Sequence, residues 1–351
     1  MKYLYLAYNL FDSVLKNKPM MSGCYQWIRA FNGDAKNLKD LGQEDSEILA
    51  KLEKYDVIMV NADGADCHLL SEIRSLLGWS SSTTLVLNQD YAPEIWTTAF
   101  QFPVEFKDAM MQADCVFATA PIARDLMQAM VGDKKQVTLC PHPVETHVLR
   151  KFRSTYTSDH LAVFWHRYFG GETFVPYVVA QKCYRNVSLI GYSESEDPNA
   201  RRTKCTFKRI FPLMTFNDYI KVLHEAKFGF EPFRSYSFGR STCDSAAVGL
   251  PVVGSESLFS MQVNYPMTCV DPYDVNKIRA LFDRMNRDPT FYNDVKTTAQ
   301  YNVDFFGHDA CRERFTAMVE GYRKSAGLSS LSSLEELDRQ AKRGEADRVV
   351  V

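Results

Sequence analysis

The sequence lacks the features that mark membrane-spanning, exported and disordered proteins. No window of about 18 consecutive apolar residues occurs in it, and the N-terminal stretch MKYLYLAYNLF has no signal-peptide cleavage region. Repeats and low-complexity tracts are also missing. Hydrophobic residues make up 46% of the chain and charged residues 24%, which is ordinary for a globular protein. We therefore expect no membrane span and no export, and the 351 residues predict two domains.

Paired cysteines and a large excess of one charge are absent as well. The 9 cysteines are spread singly and form no CxxC pair, which argues against a zinc ribbon or a thioredoxin-type site. The formal net charge of −2 does not indicate a uniformly basic surface for nucleic acid. Two local basic runs, at 150–153 and 201–209, could contact a phosphate backbone or could be solvated loops.

Short β-rich runs alternate with helical segments through the first 145 residues. The runs at 2–8, 55–61, 83–88, 114–119 and 136–140 have the composition of strands that are buried on both faces. Strand and helix in this order predict a parallel sheet covered on both sides, with ligands at the carboxyl ends of its strands.

A proline-rich and then basic stretch, CPHPVETHVLRKFRS (140–154), interrupts this alternation and marks the domain boundary. The alternation then restarts and continues to about residue 270. Three helices follow, predicted at 273–286, 289–300 and 309–325. Beyond Ser325 the composition predicts a solvated helix or a disordered tail.

The stretch FGRSTCDSAAVGLPVVG (238–254) places glycine, arginine and two hydroxyls ahead of a small-residue helix. A helix N-terminus has amides without internal partners and a partial positive charge, so it suits a phosphate group. Asp244 could then accept hydrogen bonds from ribose. The alternative is structural: Ser241 caps the helix, Asp244 complements its dipole, and Gly239 is a loop glycine.

This stretch resembles the nucleotide-sugar-binding segment of GT-B-fold glycosyltransferases, in which a Phe-Gly turn leads into a helix bearing an acid, followed by Ala-x-Gly-x-Pro-Val. The resemblance implies an α/β protein with two Rossmann-like domains facing a cleft. It also implies that the loop amides hold the donor diphosphate and that the helix acid holds the ribose. The implied donor-binding residues are Gly239, Arg240, Ser241, Thr242 and Asp244.

Other donor contacts are implied less directly by the same family. Retaining members place a glutamate where this chain has Tyr236, and Glu231 could substitute from nearby. Arg167 fits the family's diphosphate-binding arginine, although a surface arginine is the alternative. Phe211 could flank the nucleobase or simply belong to the core. The departure at Tyr236 leaves the donor sugar and the stereochemical outcome open.

A carboxylate for the reaction itself is predicted in the first domain. Asp90 follows a buried strand in VLNQDYAPEIW (86–96), where it could deprotonate an acceptor hydroxyl or simply form a turn. The strand, the Asp and the nearby proline are similar to the catalytic-base region of the DNA β-glucosyltransferases of T-even phages. The resemblance therefore makes Asp90 the candidate catalytic base.

The loop between the first strand and the first helix is long enough to be functional. In the family this loop contacts acceptor and donor, which implies contacts from Asn9, Ser22 and Gly23. His142 lies near the domain boundary and is expected to be structural. The family generally needs no metal, so we expect none, with a nucleoside-diphosphate sugar as donor substrate.

The sequence thus predicts a metal-independent, hexosyltransferase-like glycosyltransferase. Its acceptor would be a hydroxymethyl pyrimidine in phage DNA or a glycan, and it would be cytoplasmic, in the host cytoplasm if a phage encodes it. A nucleotide-sugar 2-epimerase and a non-catalytic nucleotide-sugar-binding protein are the alternatives. The expected domains are an acceptor domain (1–145), a donor domain (146–310), a helix packing back toward the first domain (311–330) and a mobile tail (331–351).

Overall fold

The computed structural model describes residues 1–8, 23–61, 66–90, 92–96, 103–155, 159–165, 174–184, 186–192, 201, 204, 207, 209–212 and 214–331. The chain divides into two compact units: Met1–Pro143 together with His308–Val351, and Val144–Gly307. Within the described ranges, no helix has the length and apolar character needed to cross a membrane.

The first unit is built on a six-stranded parallel sheet with the order β2-β1-β3-β4-β5-β6. Its strands are β1 (Tyr3–Ala7), β2 (Asp34–Asn37), β3 (Val57–Asn61), β4 (Thr84–Gln89), β5 (Cys115–Ala118) and β6 (Val137–Leu139). Its helices up to residue 143 are α1 (Gly23–Phe31), α2 (Asp45–Leu52), α3 (Asp66–Leu77), α4 (Pro103–Gln112) and α5 (Pro121–Val131).

The strands form where the sequence predicts them, because their apolar side chains are covered on both faces of the sheet. Every residue of β1, β3 and β4 is buried. Alternate residues of these strands belong to two separate apolar clusters, one on each face. Strand β2, with the polar sequence DAKN, was not predicted because an edge strand needs no apolar run.

The second unit contains another six-stranded parallel sheet, with the order β12-β11-β10-β7-β8-β9. Its strands are β7 (Leu161–Phe164), β8 (Val187–Tyr192), β9 (Arg209–Pro212), β10 (Phe228–Glu231), β11 (Val252–Ser255) and β12 (Cys269–Val270). Its helices are α6 (Thr146–Leu149), α7 (Phe174–Cys183), α8 (Phe216–Glu225), α9 (Arg240–Val248), α10 (Phe259–Asn264), α11 (Val275–Arg287) and α12 (Pro289–Asn302).

The two strand orders confirm the predicted α/β class, and each contains a point where the order reverses. In the first sheet this point lies between β1 and β3, and in the second between β7 and β10. Open parallel sheets bind ligands outside the carboxyl ends of the strands at such a point. The residues that follow β1, β3, β7 and β10 are therefore the first to examine for function.

The last described helix, α13 (His308–Ser325), packs within the first unit. Its Phe315 lies in an aromatic cluster, with ring centroids 4.9 Å from Phe31, 5.3 Å from Trp27 and 5.9 Å from Phe117. These rings are buried, and aromatic contacts at such distances stabilise beyond the area that they bury. The cluster fixes α1, which positions part of the candidate site. The expected tail begins at Leu331, and its residues from 332 onward lie outside the described part.

We expect Phe315→Ala to destabilise the first unit by about 3–5 kcal/mol, because it removes a fully buried ring and leaves a cavity. Urea unfolding followed by circular dichroism measures the change. The control is Leu126→Ala on α5, whose side chain is 44% exposed; it should cost less than about 0.5 kcal/mol. Equal effects of the two variants would contradict the importance of this cluster.

Candidate functional site

The stretch that begins at Phe238 forms a turn and a helix start beside the reversal point of the second sheet. Gly239 precedes α9 in the left-handed conformation, with φ of 80°. A Cβ atom there would lie 2.5 Å from Ser260 Oγ, so the position has room only for glycine. The first amides of α9 have no acceptor within the helix, and together with its dipole they suit an anion.

Hydroxyl groups around this turn bond to the protein itself. Ser241 donates a short hydrogen bond to the carboxylate of Glu231, the buried last residue of β10. Thr242 Oγ1 and Ser260 Oγ each donate to the carbonyl of Gly239, at 2.7 Å. The helix-capping alternative for Ser241 is wrong, because Gly239 is the cap residue. These contacts fix the shape of the turn, so its capacity to bind a ligand depends on backbone amides.

Arg240 and Asp244 form a buried ion pair on α9, with 2.8 Å between Nε and Oδ1. The Asp244 side chain is fully buried, and Tyr219 Oη lies 3.5 Å from its second oxygen. The helix begins at Arg240, so Asp244 lies beyond its first turn and does not complement the dipole there. A ribose hydroxyl could reach this carboxylate only after the pair with Arg240 opens.

No contact with the start of α9 is established for the remaining predicted donor residues within the described part of the chain. Phe211 lies half-buried on the edge strand β9, with the guanidinium of Arg209 5.8 Å from its ring centroid. Tyr236, where the family has glutamate, is exposed on the loop before α9. Arg167 lies outside the described residues.

In the first unit, Asp90 directly follows β4 and lies among polar side chains from other strand ends. Asn61, the last residue of β3, donates from Nδ2 to Oδ1 of Asp90 at 3.3 Å. His142 Nε2 lies 3.3 Å from Oδ2 of the same carboxylate. The side chain of Asp90 is 26% exposed, so it remains open to solvent.

The surroundings of Asp90 hold its pKa below the ordinary value. Burial acts to raise the pKa, but the contacts with His142 and with the Asn61 amide outweigh it. Asp90 is therefore an ionised carboxylate at neutral pH. Such a group can accept a hydrogen bond from a hydroxyl and can receive its proton.

Of the predicted loop residues, Gly23 belongs to this cluster. It is the first residue of α1, and a Cβ atom there would lie 2.5 Å from ring atoms of His142. Asn9 and Ser22 lie outside the described residues. Sequence reasoning gave His142 a structural role near the boundary and did not predict that it lies beside Asp90. The signal for it was weak, because His142 is 115 residues from its partner Trp27.

The structure is similar to solved glycosyltransferase structures. Sucrose-phosphate synthase from Thermosynechococcus elongatus matches with a TM-score of 0.66 and 14% identity, covering 94% of this chain and 100% of that one. HepE from Anabaena in complex with UDP-glucose matches with a TM-score of 0.64 and 12% identity, covering 92% and 100%. An α-glucosyltransferase in complex with UDP and a 13-mer DNA containing an HMU base matches with a TM-score of 0.61 and 11% identity, covering 90% and 98%.

These likenesses confirm the predicted resemblance to GT-B glycosyltransferases at the level of fold. The sequence itself matches no protein-family model and no curated protein. At such low identity the similarity establishes the α/β architecture, and the activity has to be argued from this chain's own residues.

Gly239→Ala should destabilise the second unit by roughly 1–3 kcal/mol, because alanine is strained at this positive φ and its Cβ would displace Ser260. Thermal unfolding measures the loss. Gly321→Ala on α13 is the matched control, since its Cβ would meet nothing within 4 Å. In a helix interior that change should be neutral or stabilising by about 1 kcal/mol. Equal stability of Gly239→Ala and the native protein would contradict the constraint at the turn.

Asp244→Asn should cost about 3 kcal/mol, because it leaves the guanidinium of Arg240 buried without a counter-charge. Replacing both residues, as Arg240→Met with Asp244→Leu, should recover most of this loss. Urea unfolding compares the variants. Asp125→Asn, which breaks an exposed pair with Arg124, should change stability by less than about 1 kcal/mol. If Asp244→Asn lowers the free energy of unfolding by as little as Asp125→Asn does, the ion pair has no structural role.

Proposed function

We propose that the protein is a glycosyltransferase that transfers a sugar from a nucleoside-diphosphate sugar to an acceptor hydroxyl. The observation that carries the proposal is Asp90, an ionised, partly exposed carboxylate after β4. It accepts a hydrogen bond from Asn61, the last residue of β3 at the reversal point of the sheet. The glycine-led start of α9, at the reversal point of the other sheet, supports it as a diphosphate site.

The donor half of the reaction belongs to the second unit. Backbone amides at the start of α9 would contact the diphosphate, and they would stabilise the negative charge that develops on it as it leaves. UDP is the first nucleotide to test, because similar structures contain UDP or UDP-glucose. We propose that these amides take the place of a metal ion, so that transfer continues in the presence of EDTA.

The acceptor half belongs to the first unit. The acceptor oxygen attacks the anomeric carbon, and the bond from that carbon to the diphosphate oxygen breaks with its electron pair leaving on the diphosphate. The acceptor's proton passes to Asp90 if the reaction inverts the anomeric configuration. Because Asp90 is ionised at neutral pH, it is ready to accept that proton in every turnover.

We propose DNA containing a hydroxymethyl pyrimidine as the acceptor. Exposed cations of the second unit support it, namely Lys151, Arg153, Arg201, Lys204 and Arg209. Arg150 does not belong to this set, because it donates to the Gln300 carbonyl and pairs with Asp304 at 2.9 Å. One similar structure contains such a DNA. Binding through phosphates should weaken steeply with salt, whereas transfer to a glycan should not.

Asp90→Asn should lower the turnover of UDP-glucose by about 10²- to 10⁴-fold, because the amide cannot accept the acceptor's proton. UDP release is measured in EDTA buffer, with hydroxymethylated duplex DNA or with an oligosaccharide as acceptor. Donor binding, measured by the thermal shift with UDP-glucose, should be unchanged because the proposed diphosphate contacts are the amides of α9 and do not include Asp90.

Asp108→Asn, an exposed position on α4 of the same unit, is the matched control and should keep full turnover. Unchanged turnover in Asp90→Asn would remove Asp90 from the mechanism. A UDP-glucose shift without turnover on either acceptor would favour the non-catalytic binding protein. Conversion of the sugar without any acceptor would favour the 2-epimerase.

A further inference from the structure

Trp27 contacts His142 in a way that determines where the imidazole carries its proton. The indole Nε1–H of Trp27 donates to Nδ1 of His142 at 3.0 Å, and both side chains are buried. An indole nitrogen is only a donor, so Nδ1 must be the acceptor and carries no proton. The neutral ring therefore has its proton on Nε2.

That Nε2 atom is the one that lies 3.3 Å from Oδ2 of Asp90. The tautomer selected by Trp27 thus places the ring proton on the nitrogen that lies nearest the carboxylate. The opposite tautomer would present a lone pair to a negative oxygen and would repel it. The position of one buried indole therefore decides whether His142 attracts or repels Asp90.

The other oxygen of Asp90 accepts a hydrogen bond from one amide, which is itself held by a second amide. Asn88 donates from Nδ2 to Oδ1 of Asn61 at 2.8 Å, and Asn61 donates in turn to Asp90 Oδ1. Asn61 and Asn88 are directly paired on β3 and β4. Each carboxylate oxygen accepts about two hydrogen bonds, so these contacts leave Asp90 capacity to accept one from a ligand hydroxyl.

Helix α1 supplies both the donor and the space for the ring. Trp27 and Gly23 are four residues apart and therefore lie on the same face of the helix. The missing side chain at Gly23 lets the imidazole approach the start of α1, and Trp27 then reaches Nδ1. The helix is fixed in turn by the aromatic cluster around Phe315.

We propose that Trp27 and His142 are positioning residues for Asp90, with the indole N–H selecting the tautomer whose Nε2 proton orients the carboxylate toward an acceptor hydroxyl. The inference rests on the proposed glycosyl transfer for its functional part. The contacts that link Trp27 to His142 and His142 to Asp90 do not depend on that function. They can be tested by measuring the tautomer of His142, without any measurement of turnover.

The first test is the ¹⁵N chemical shifts of the ring nitrogens in protein labelled at histidine, at neutral pH. We expect His142 with its proton on Nε2, and His142→Gln identifies its signals by their loss. Trp27→Phe keeps an aromatic ring but removes the donor, so the preference for this tautomer should be lost. Phe31→Leu is the control: it perturbs the same buried cluster, keeps the Trp27 N–H donor, and should leave the tautomer unchanged.

The second test is turnover of UDP-glucose with hydroxymethylated DNA. His142→Leu should lose about 10²-fold in kcat, the lower end of what a general base contributes, with little change in donor affinity. His142→Gln should recover most of that loss, because its amide N–H can replace the Nε2 donor. Trp27→Phe should lose about tenfold, a smaller effect because the imidazole is retained, and Phe31→Leu should resemble the native protein.

A proton on Nδ1 of His142 in the native protein would overturn the proposal, as would an unchanged tautomer in Trp27→Phe. A folded His142→Gln variant as inactive as His142→Leu would also overturn it. If the native protein transfers no sugar, the proposed function is wrong, but the positioning of Asp90 is still testable. The histidine spectra of the native protein and of Trp27→Phe then show whether Trp27 selects the tautomer of His142.

Discussion

Polar side chains at the ends of buried parallel strands have little access to water, so they must find hydrogen-bond partners on neighbouring strand or helix ends. In the first unit this constraint joins Asn88 to Asn61 and Asn61 to Asp90. In the second unit it joins Glu231, the last residue of β10, to Ser241 at the start of α9. Each candidate site therefore begins with a polar residue that ends a strand, and the bonds that satisfy this residue also fix the site's geometry.

The two units use this constraint in opposite ways. Around Asp90, donors converge on a carboxylate that keeps part of its surface in solvent. At the start of α9, the hydroxyl of Ser241 and the carboxylate of Asp244 are bonded inside the protein. The backbone amides at the start of α9 are the groups that we propose for an anion, and they depend on the unusual turn at Gly239. A phosphate site built from backbone amides would tolerate wide variation in sequence, because it requires a backbone conformation and few particular side chains.

The sequence predicted what depends on local patterns. Buried strands were visible as apolar runs, and Asp90 and Gly239 were visible because each follows a strand or precedes a helix. The spacing of Arg240 and Asp244, four residues apart on a helix, was a signal for their pairing that could have been used. The contact of His142 with Trp27 could not be predicted, because the strand order that brings positions 115 residues apart together is set by tertiary packing. Strand β2 was missed for a different reason: as an edge strand it needs no apolar run, and its sequence has none.

A carboxylate surrounded by donors is a weaker base than an isolated one, and this bears on the chemistry proposed for Asp90. The donors that lower the proton affinity of Asp90 also keep the carboxylate ionised and hold it in one orientation. Those properties matter most when the sugar carries positive charge in the transition state, as sugars do when the bond to the leaving group breaks early. The acceptor's proton becomes acidic only as its oxygen bonds to that carbon, and a weak base is then sufficient. The surroundings of Asp90 therefore favour a reaction in which departure of the diphosphate precedes proton transfer.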